Sequence, residues 1–303
     1  MAESKAASSC SDESSVKVAL HDTQTMSRLR EFEFGQEDFE ALRKLVKQIT
    51  GINLSDQKRE LVYGRLAKRL RALRLQSFAE YREVLARDGG REIVQLCNAI
   101  TTNLTAFFRE PHHFEYLSEQ VLAPMAANGG TSRRLRIWSA GCSTGEEPYS
   151  LAMTVLETLP DSRHWDVRIL ATDLDSDVLE RGRRGIYPEE RLKNLTPQRR
   201  ARFFTERRER EGVAYEAKPE LKSLIIFKQL NLMHLLPMRG PLDAIFCRNV
   251  VIYFDKHTQR DLFTRISQLQ RPGSLLFLGH SESLFKVSDD YVLIGKTIYR
   301  RGG

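Results

Sequence analysis

The 303 residues, 41% of them hydrophobic, suffice for one large domain or two smaller ones, and a net charge of +7 suits an acidic partner: nucleic acid, an anionic membrane or an acidic protein surface. Four scattered cysteines (Cys10, Cys97, Cys142, Cys247), with no C-x-x-C pair, point away from zinc and disulfides and towards a reducing compartment. No apolar run approaches the ~20 residues of a membrane span, and the N-terminus lacks the apolar core of a signal peptide, so the sequence reads as cytoplasmic.

Residues 1–30 are rich in Ser, Ala, Asp, Glu and Thr and are expected to form a disordered tail. Residues 31–90 read as a helical domain. Phe39, Leu42, Leu45, Val46 and Ile49 recur at helical spacing, and Gly51 is a plausible stop. Ser55 or Asp56 can cap the next helix, where Leu61, Leu66, Leu70 and Leu73 form an apolar stripe. Away from that stripe lie Lys58, Arg59, Arg65, Lys68, Arg69, Arg71 and Arg74, with only Glu60 as acidic counterweight. Pairing along the helix is therefore poor, and the face reads either as solvated surface or as a docking face for an acidic partner. Residues 77–88 close this domain.

Residues 91–130 read as a helix and a connection. In TTNLTAFFREPHHF the polar Asn103, Thr105 and Arg109 flank the bulky pair Phe107–Phe108. Asn and Thr disfavour helix interiors, so a helix boundary is one reading of this stretch. His112 and His113 diverge on a helix and no further ligand accompanies them in sequence, so no metal is expected.

Residues 131–303 alternate strand and helix. LRIWSAGCSTGEEPYSLAMTV reads as a strand, a turn between Gly141 and Gly145, and a helix opened by Glu146 and Glu147. Val167, Ile169 and Leu170 make a second strand with Asp173 at its carboxyl end. There an acidic group can accept both ribose hydroxyls of a nucleotide or cap a helix, a role for which Asp175 and Ser176 compete. The charged stretch 186–228 reads as an inserted small β subdomain, with a hairpin around Gly212–Tyr215 and Leu224–Phe227. LIIFKQLNL is a strand ending at Asn231; LDAIFCRNVVIYF is the most apolar strand and should be central, with Asn249 terminating it; a turn at Pro272–Gly273 feeds another strand, and YVLIGKTIYRR supplies a last strand or pair. Polar groups at successive strand ends converge on one crevice in an open parallel α/β sheet.

The first turn fits neither G-x-G-x-x-G nor G-x-x-x-x-G-K-S/T, and it carries two carboxylates where a phosphate loop wants a positive field. That disfavours ATP and NAD. It favours a ligand carrying positive charge, such as S-adenosylmethionine, with a sulfonium, an ammonium and no phosphate; an ordinary structural turn is the bland alternative.

The segments TTNLTAFFRE (101–110), SAGCSTGEEPYSLA (139–152), DLD (173–175), FCRNVVIYFD (246–255) and LGHSES (278–283) closely resemble the bacterial chemotaxis-receptor glutamate O-methyltransferases. The resemblance covers nearly the whole chain from about residue 35. It implies a doubly wound, Rossmann-like class I methyltransferase sheet, with an N-terminal all-α domain and a small antiparallel β insertion. It implies S-adenosylmethionine as cofactor, with Asn103, Thr105, Arg109, Glu146, Asp173, Asn231, Leu232, Asn249 and Val250 in contact with it. The expected activity is methylation of chemoreceptor glutamates to 5-O-methyl esters, with Lys58–Arg74 facing the receptor helices. In some members the small subdomain also holds a receptor C-terminal peptide; here its hairpin, TERREREG, carries one glycine where peptide-binding members carry more.

An ionised glutamate needs little acid–base help to attack a sulfonium methyl, so positioning and water exclusion should dominate. Arg109 can orient the acceptor carboxylate, and Tyr253 and His280 can line its channel. A nucleic-acid methyltransferase is the first rival. Amino-directed base methylation usually shows an Asp/Asn-Pro-Pro-Tyr/Phe segment where this chain has RNVVIYF, and Cys247 lies inside an apolar strand. The second rival is a non-catalytic module that only binds the cofactor.

Overall fold

The computed structural model describes residues 30–88, 90–127, 133–159, 164–209 and 212–303. The expected tail falls on residues 1–29, outside them, as does Cys10. The chain divides into two compact units: residues up to 43 with 55–92, and residues 44–54 with 93–303.

The first unit is helical. Helix α1 (Gln36–Thr50) begins in it; α2 (Arg59–Leu73) and α3 (Phe78–Arg87) follow, and α4 (Arg91–Ile100) starts at its end. Val62, Leu66, Ala67 and Leu70 form the buried face of α2. Leu61, one position off that i,i+4 row, is 43% exposed instead of joining the apolar stripe. Phe34 packs against Phe78, their rings 4.3 Å apart, while Phe39 and Tyr81 are fully buried. Ser77 caps α3 by accepting the Glu80 N–H.

The second unit holds α5 (His112–Leu117), a π turn (Ser118–Leu122), α6 (Ala123–Ala127), and a seven-stranded sheet. The strands and helices run β1 (Arg134–Ala140), α7 (Glu146–Thr158), β2 (Asp166–Asp173), α8 (Ser176–Arg184), β3 (Ile186–Pro188), α9 (Pro197–Phe203), β4 (Phe204–Glu209), β5 (Gly212–Ala217), α10 (Pro219–Lys222), β6 (Ile225–Gln229), β7 (Leu242–Cys247), α11 (Lys256–Ser267), β8 (Gln270–Leu278), β9 (Tyr291–Gly295) and β10 (Ile298–Arg301). The large sheet has the order β6-β2-β1-β7-β8-β10-β9. Its first five strands are parallel, and β10 is antiparallel to both β8 and β9. The apolar strand β7 is the fourth of seven, central as expected.

Alternate residues of each inner strand feed two cores. Leu135, Ile137, Phe246 and Phe277 enter one; Trp138, Ile245, Leu276 and Leu278 enter the other. A sheet covered on both faces suits parallel strands, which need helical crossovers. Strand order reverses at β1, which puts the crevice outside the carboxyl ends of β1 and its neighbours.

The small antiparallel sheet has the order β3-β5-β4. The partner of Gly212–Ala217 is Phe204–Glu209, whereas Ile225–Gln229 pairs in parallel with β2 at the edge of the large sheet. Strand β4 is charged on both faces and gives no alternating signal. It is held by its ladder and by pairs such as Arg207 with Glu216, 2.6 Å apart.

Candidate functional site

Gly141 and Gly145 bracket the turn after β1 with φ of +83° and +98°. A Cβ on Gly141 would lie 2.3 Å from Val250 Cγ2, and one on Gly145 would lie 2.9 Å from the Tyr187 hydroxyl. Both glycines are therefore required by conformation and by close packing. The Gly141 and Cys142 N–H groups both donate to Thr172 O, seating the turn on the end of β2.

Asp173 receives the next N–H: Ser143 donates to Oδ2 at 2.8 Å and Asp175 to Oδ1 at 3.0 Å. Burial pushes the Asp173 carboxyl up to about 6, against the opposing pull of those donors. Asp175, not Asp173, caps α8, accepting from Asp177 and Val178 N–H. Its other oxygen accepts from Thr101 at 2.9 Å and from Asn103 at 2.7 Å. The Asn103 carbonyl in turn accepts from Ser143 Oγ at 3.1 Å. The segment 101–105 is thus tied to the turn and to α8.

The two glutamates that open α7 have separate tasks. Glu146 is fully buried; it accepts from Thr144 Oγ1 at 2.6 Å and pairs with Arg191 at 2.6 Å. Glu147 accepts from Ser139 Oγ at 2.7 Å and from Arg248 at 3.1 Å. Its pKa is raised by burial, with Arg248 pulling the other way. Arg248 also donates to the Arg109 carbonyl and lies 3.4 Å from Glu110. One buried guanidinium therefore joins the end of β7, the start of α7 and the 103–110 segment.

Asn231 and Leu232 sit beside Asp173, because Leu230 N–H donates to the Asp173 carbonyl at 2.9 Å. The Asn231 amide donates to Ile49 O, and its oxygen accepts the Met233 N–H, so this side chain shapes the loop. Asn249 has φ of +58°, and Val250 lies against Gly141. Phe108, Glu110 and Ser143 also have positive φ, so four of the seven such non-glycine residues among the described residues cluster here, as strained backbone does at functional sites. Thr105 is half-buried within the same segment, and the Arg109 guanidinium donates to Leu104 O. Tyr253 is half-buried on the turn after Val250, and exposed His280 bonds Glu110 at 3.1 Å.

His113 is buried with Nε2 near Lys296 O, and burial and Arg248 lower its pKa to about 3, so it is a neutral packing ring. Glu110 does approach both histidines, which sequence spacing did not anticipate, yet its charge is met by Arg248. Burial raises the Cys142 and Cys247 thiols well above their ordinary value, leaving them inert. A polar cavity of about 560 Å³ lies behind the turn, lined by Asn103, Thr144, Asp175, Arg181, Tyr187 and Arg191. Of the predicted contact residues only Asn103 reaches it.

Spacing missed Arg248, Arg191 and Glu282; it named Glu147 only as a helix opener, and Asp175 as the competing helix cap that it is, without their distant partners. All but Arg191 lie inside the motif segments, but nothing local marks their partners.

The turn suits an S-adenosyl ligand. Among the described residues no Lys or Arg is seen to donate to its backbone, and Asp173, which accepts backbone N–H groups from Ser143 and Asp175, has about four lone-pair sites when ionised. The acidic groups around it favour a cationic ligand end. Fold and turn together define a class I methyltransferase.

The CheR methyltransferase SAM binding domain matches residues 103–300, and the CheR methyltransferase all-alpha domain matches residues 37–101. A chemotaxis protein methyltransferase 2 of Pseudomonas aeruginosa is 45% identical over 271 residues, covering 89% of this chain and 95% of the relative. A chemotaxis protein methyltransferase of Escherichia coli is 42% identical over 266 residues, covering 86% of this chain and 89% of the relative. One from Borreliella burgdorferi is 37% identical over 254 residues, covering 82% and 89%. The chain belongs to the CheR methyltransferase family: it is an S-adenosylmethionine-dependent methyltransferase of chemotaxis.

Proposed function

We propose that this protein methylates glutamate side chains of chemoreceptors, forming 5-O-methyl esters, in the cytoplasm. The observation that carries the proposal is similarity to chemotaxis protein methyltransferases across both units. S-adenosylmethionine, when bound, supplies an electrophilic methyl group on a sulfonium. Asp173 would accept the ribose hydroxyls, and Asn231 with Leu232 would frame the adenine. Glu146 would act on the cationic methionine end through the Thr144 network, and Asn249 and Val250 would line the crevice opposite Gly141. Asn103, Thr105 and Arg109 would close over it, with Arg109 also orienting the acceptor carboxylate and Tyr253 lining its approach.

The acceptor chemistry fits the groups at hand. A glutamate is ionised at neutral pH and needs no base to attack. Glu147 is tied to Arg248, and His113 is held neutral in the core. What the residues supply is positioning, which can contribute about 7–11 kcal/mol, together with exclusion of water. The basic face of α2 would meet acidic receptor helices, and the small sheet is the candidate site for a receptor C-terminal peptide, although its hairpin carries one glycine where peptide-binding members carry more.

The test is Asp173→Ala, assayed for cofactor binding by calorimetry and for receptor methylation on chemoreceptor-bearing membranes. The proposal expects both to fall together in a folded protein. Unchanged affinity and methylation would remove Asp173 from the site.

A further inference from the structure

Glu282 is 5% exposed and has no charged partner among its bonds. Its carboxylate instead gathers five backbone N–H groups. Oε2 accepts from Gly279 at 2.6 Å and from Asn249 at 2.8 Å. Oε1 accepts from Val250 and Val251 at 2.9 Å each, and from Ile252 at 3.3 Å. These donors open the short 3-10 turn Val251–Tyr253, whose first N–H groups have no partner within the turn itself. Asn249 is held there in the left-handed region that its side chain type tolerates but does not favour. Gly279 closes the other side: a Cβ on it would lie 2.3 Å from the Asn249 amide nitrogen.

We infer that Glu282 is a positioning residue for cofactor binding: its carboxylate fixes the Asn249–Ile252 backbone so that Val250 packs on Gly141 and Asn249 faces the crevice. It acts through that backbone and need not touch the cofactor. The inference rests on the reading of Asn249 and Val250 as cofactor contacts. A carboxylate suits this task because it is acceptor-only, with about four lone-pair sites. An amide of the same shape turns two N–H donors towards N–H donors, leaving buried groups unsatisfied.

The experiment titrates S-adenosylmethionine and S-adenosylhomocysteine into the full chain and into Glu282→Gln by calorimetry, without any acceptor. Thermal melting of the ligand-free proteins and steady-state kinetics accompany it. Glu282→Gln should weaken cofactor affinity at least about tenfold. KM should rise for the cofactor but not for the receptor, a split that a general loss of stability does not produce. Amide exchange at Val250, Val251 and Ile252 should be slow in the wild type and fast in the variant. If Glu282→Gln does not fold, Glu282→Asp keeps the buried charge but is one methylene too short to span all five donors, and it should show a smaller loss of the same kind. A folded variant with wild-type cofactor affinity overturns the inference. A wild-type protein that binds neither ligand overturns the underlying reading of the site instead.

Discussion

At Asp173 burial opposes ionisation while the N–H groups of Ser143 and Asp175 favour it, and burial wins, raising the group from 3.8 to about 6. Between those values the native protein holds a proton that the unfolded chain has released. This group therefore stabilises the ligand-free fold in acid, and the contribution is lost as pH rises through 6. On the proposed ribose role, cofactor affinity should run the other way, because an ionised carboxylate accepts from both ribose hydroxyls better than a protonated one. Affinity measured between pH 5 and 8 should fall below about 6, and Asp173→Asn should abolish that dependence; an equal pH slope in the variant would contradict the role. The strand-end positions of Asp173 and Asn249 were legible because Asp173 closes one apolar strand and Asn249 follows another. Arg248, Glu147 and Glu282 were not, because their meaning lies in partners far off in sequence. Arg248 reaches Glu147 across 101 positions, and Glu282 reaches Val250 across 32.

Helix α2 shows the same limit at the scale of an element. Along its own sequence the basic residues lack acidic neighbours, as expected, but the folded first unit supplies some from elsewhere. Arg69 pairs with the buried Glu92 at 2.7 Å and Arg71 with Glu31 at 2.8 Å. Arg69 thus belongs to the fold of that unit, and Lys68, exposed beside half-buried Arg65, offers the better probe of docking. The change Lys68→Glu should reduce receptor methylation severalfold at low salt while leaving cofactor affinity unchanged, with the difference shrinking as salt rises. Methylation at the wild-type rate would remove α2 from the interface. The small sheet was harder to read than the large one. Its strand β4 offers Glu and Arg where a period-two apolar pattern would have marked it, while the apolar run at Ile225–Phe227 serves the edge of the large sheet.

Over the whole molecule, the proposed roles divide between the two units. The second unit brings acidic strand ends around a turn whose glycines admit close approach, an environment for a cationic methyl donor. The first carries basic side chains that suit an acidic acceptor. No helix among the described residues is long and apolar enough to cross a membrane. The proposed chemistry is transfer to a carboxylate, and a methyl ester product would have a distinctive lability. The decisive measurement is transfer of radiolabelled methyl from S-adenosylmethionine to membranes containing chemoreceptors, followed by mild alkali. Label on receptor-sized bands that alkali releases as methanol is the predicted result. Label that survives alkali would mean amine or base methylation and would contradict the account.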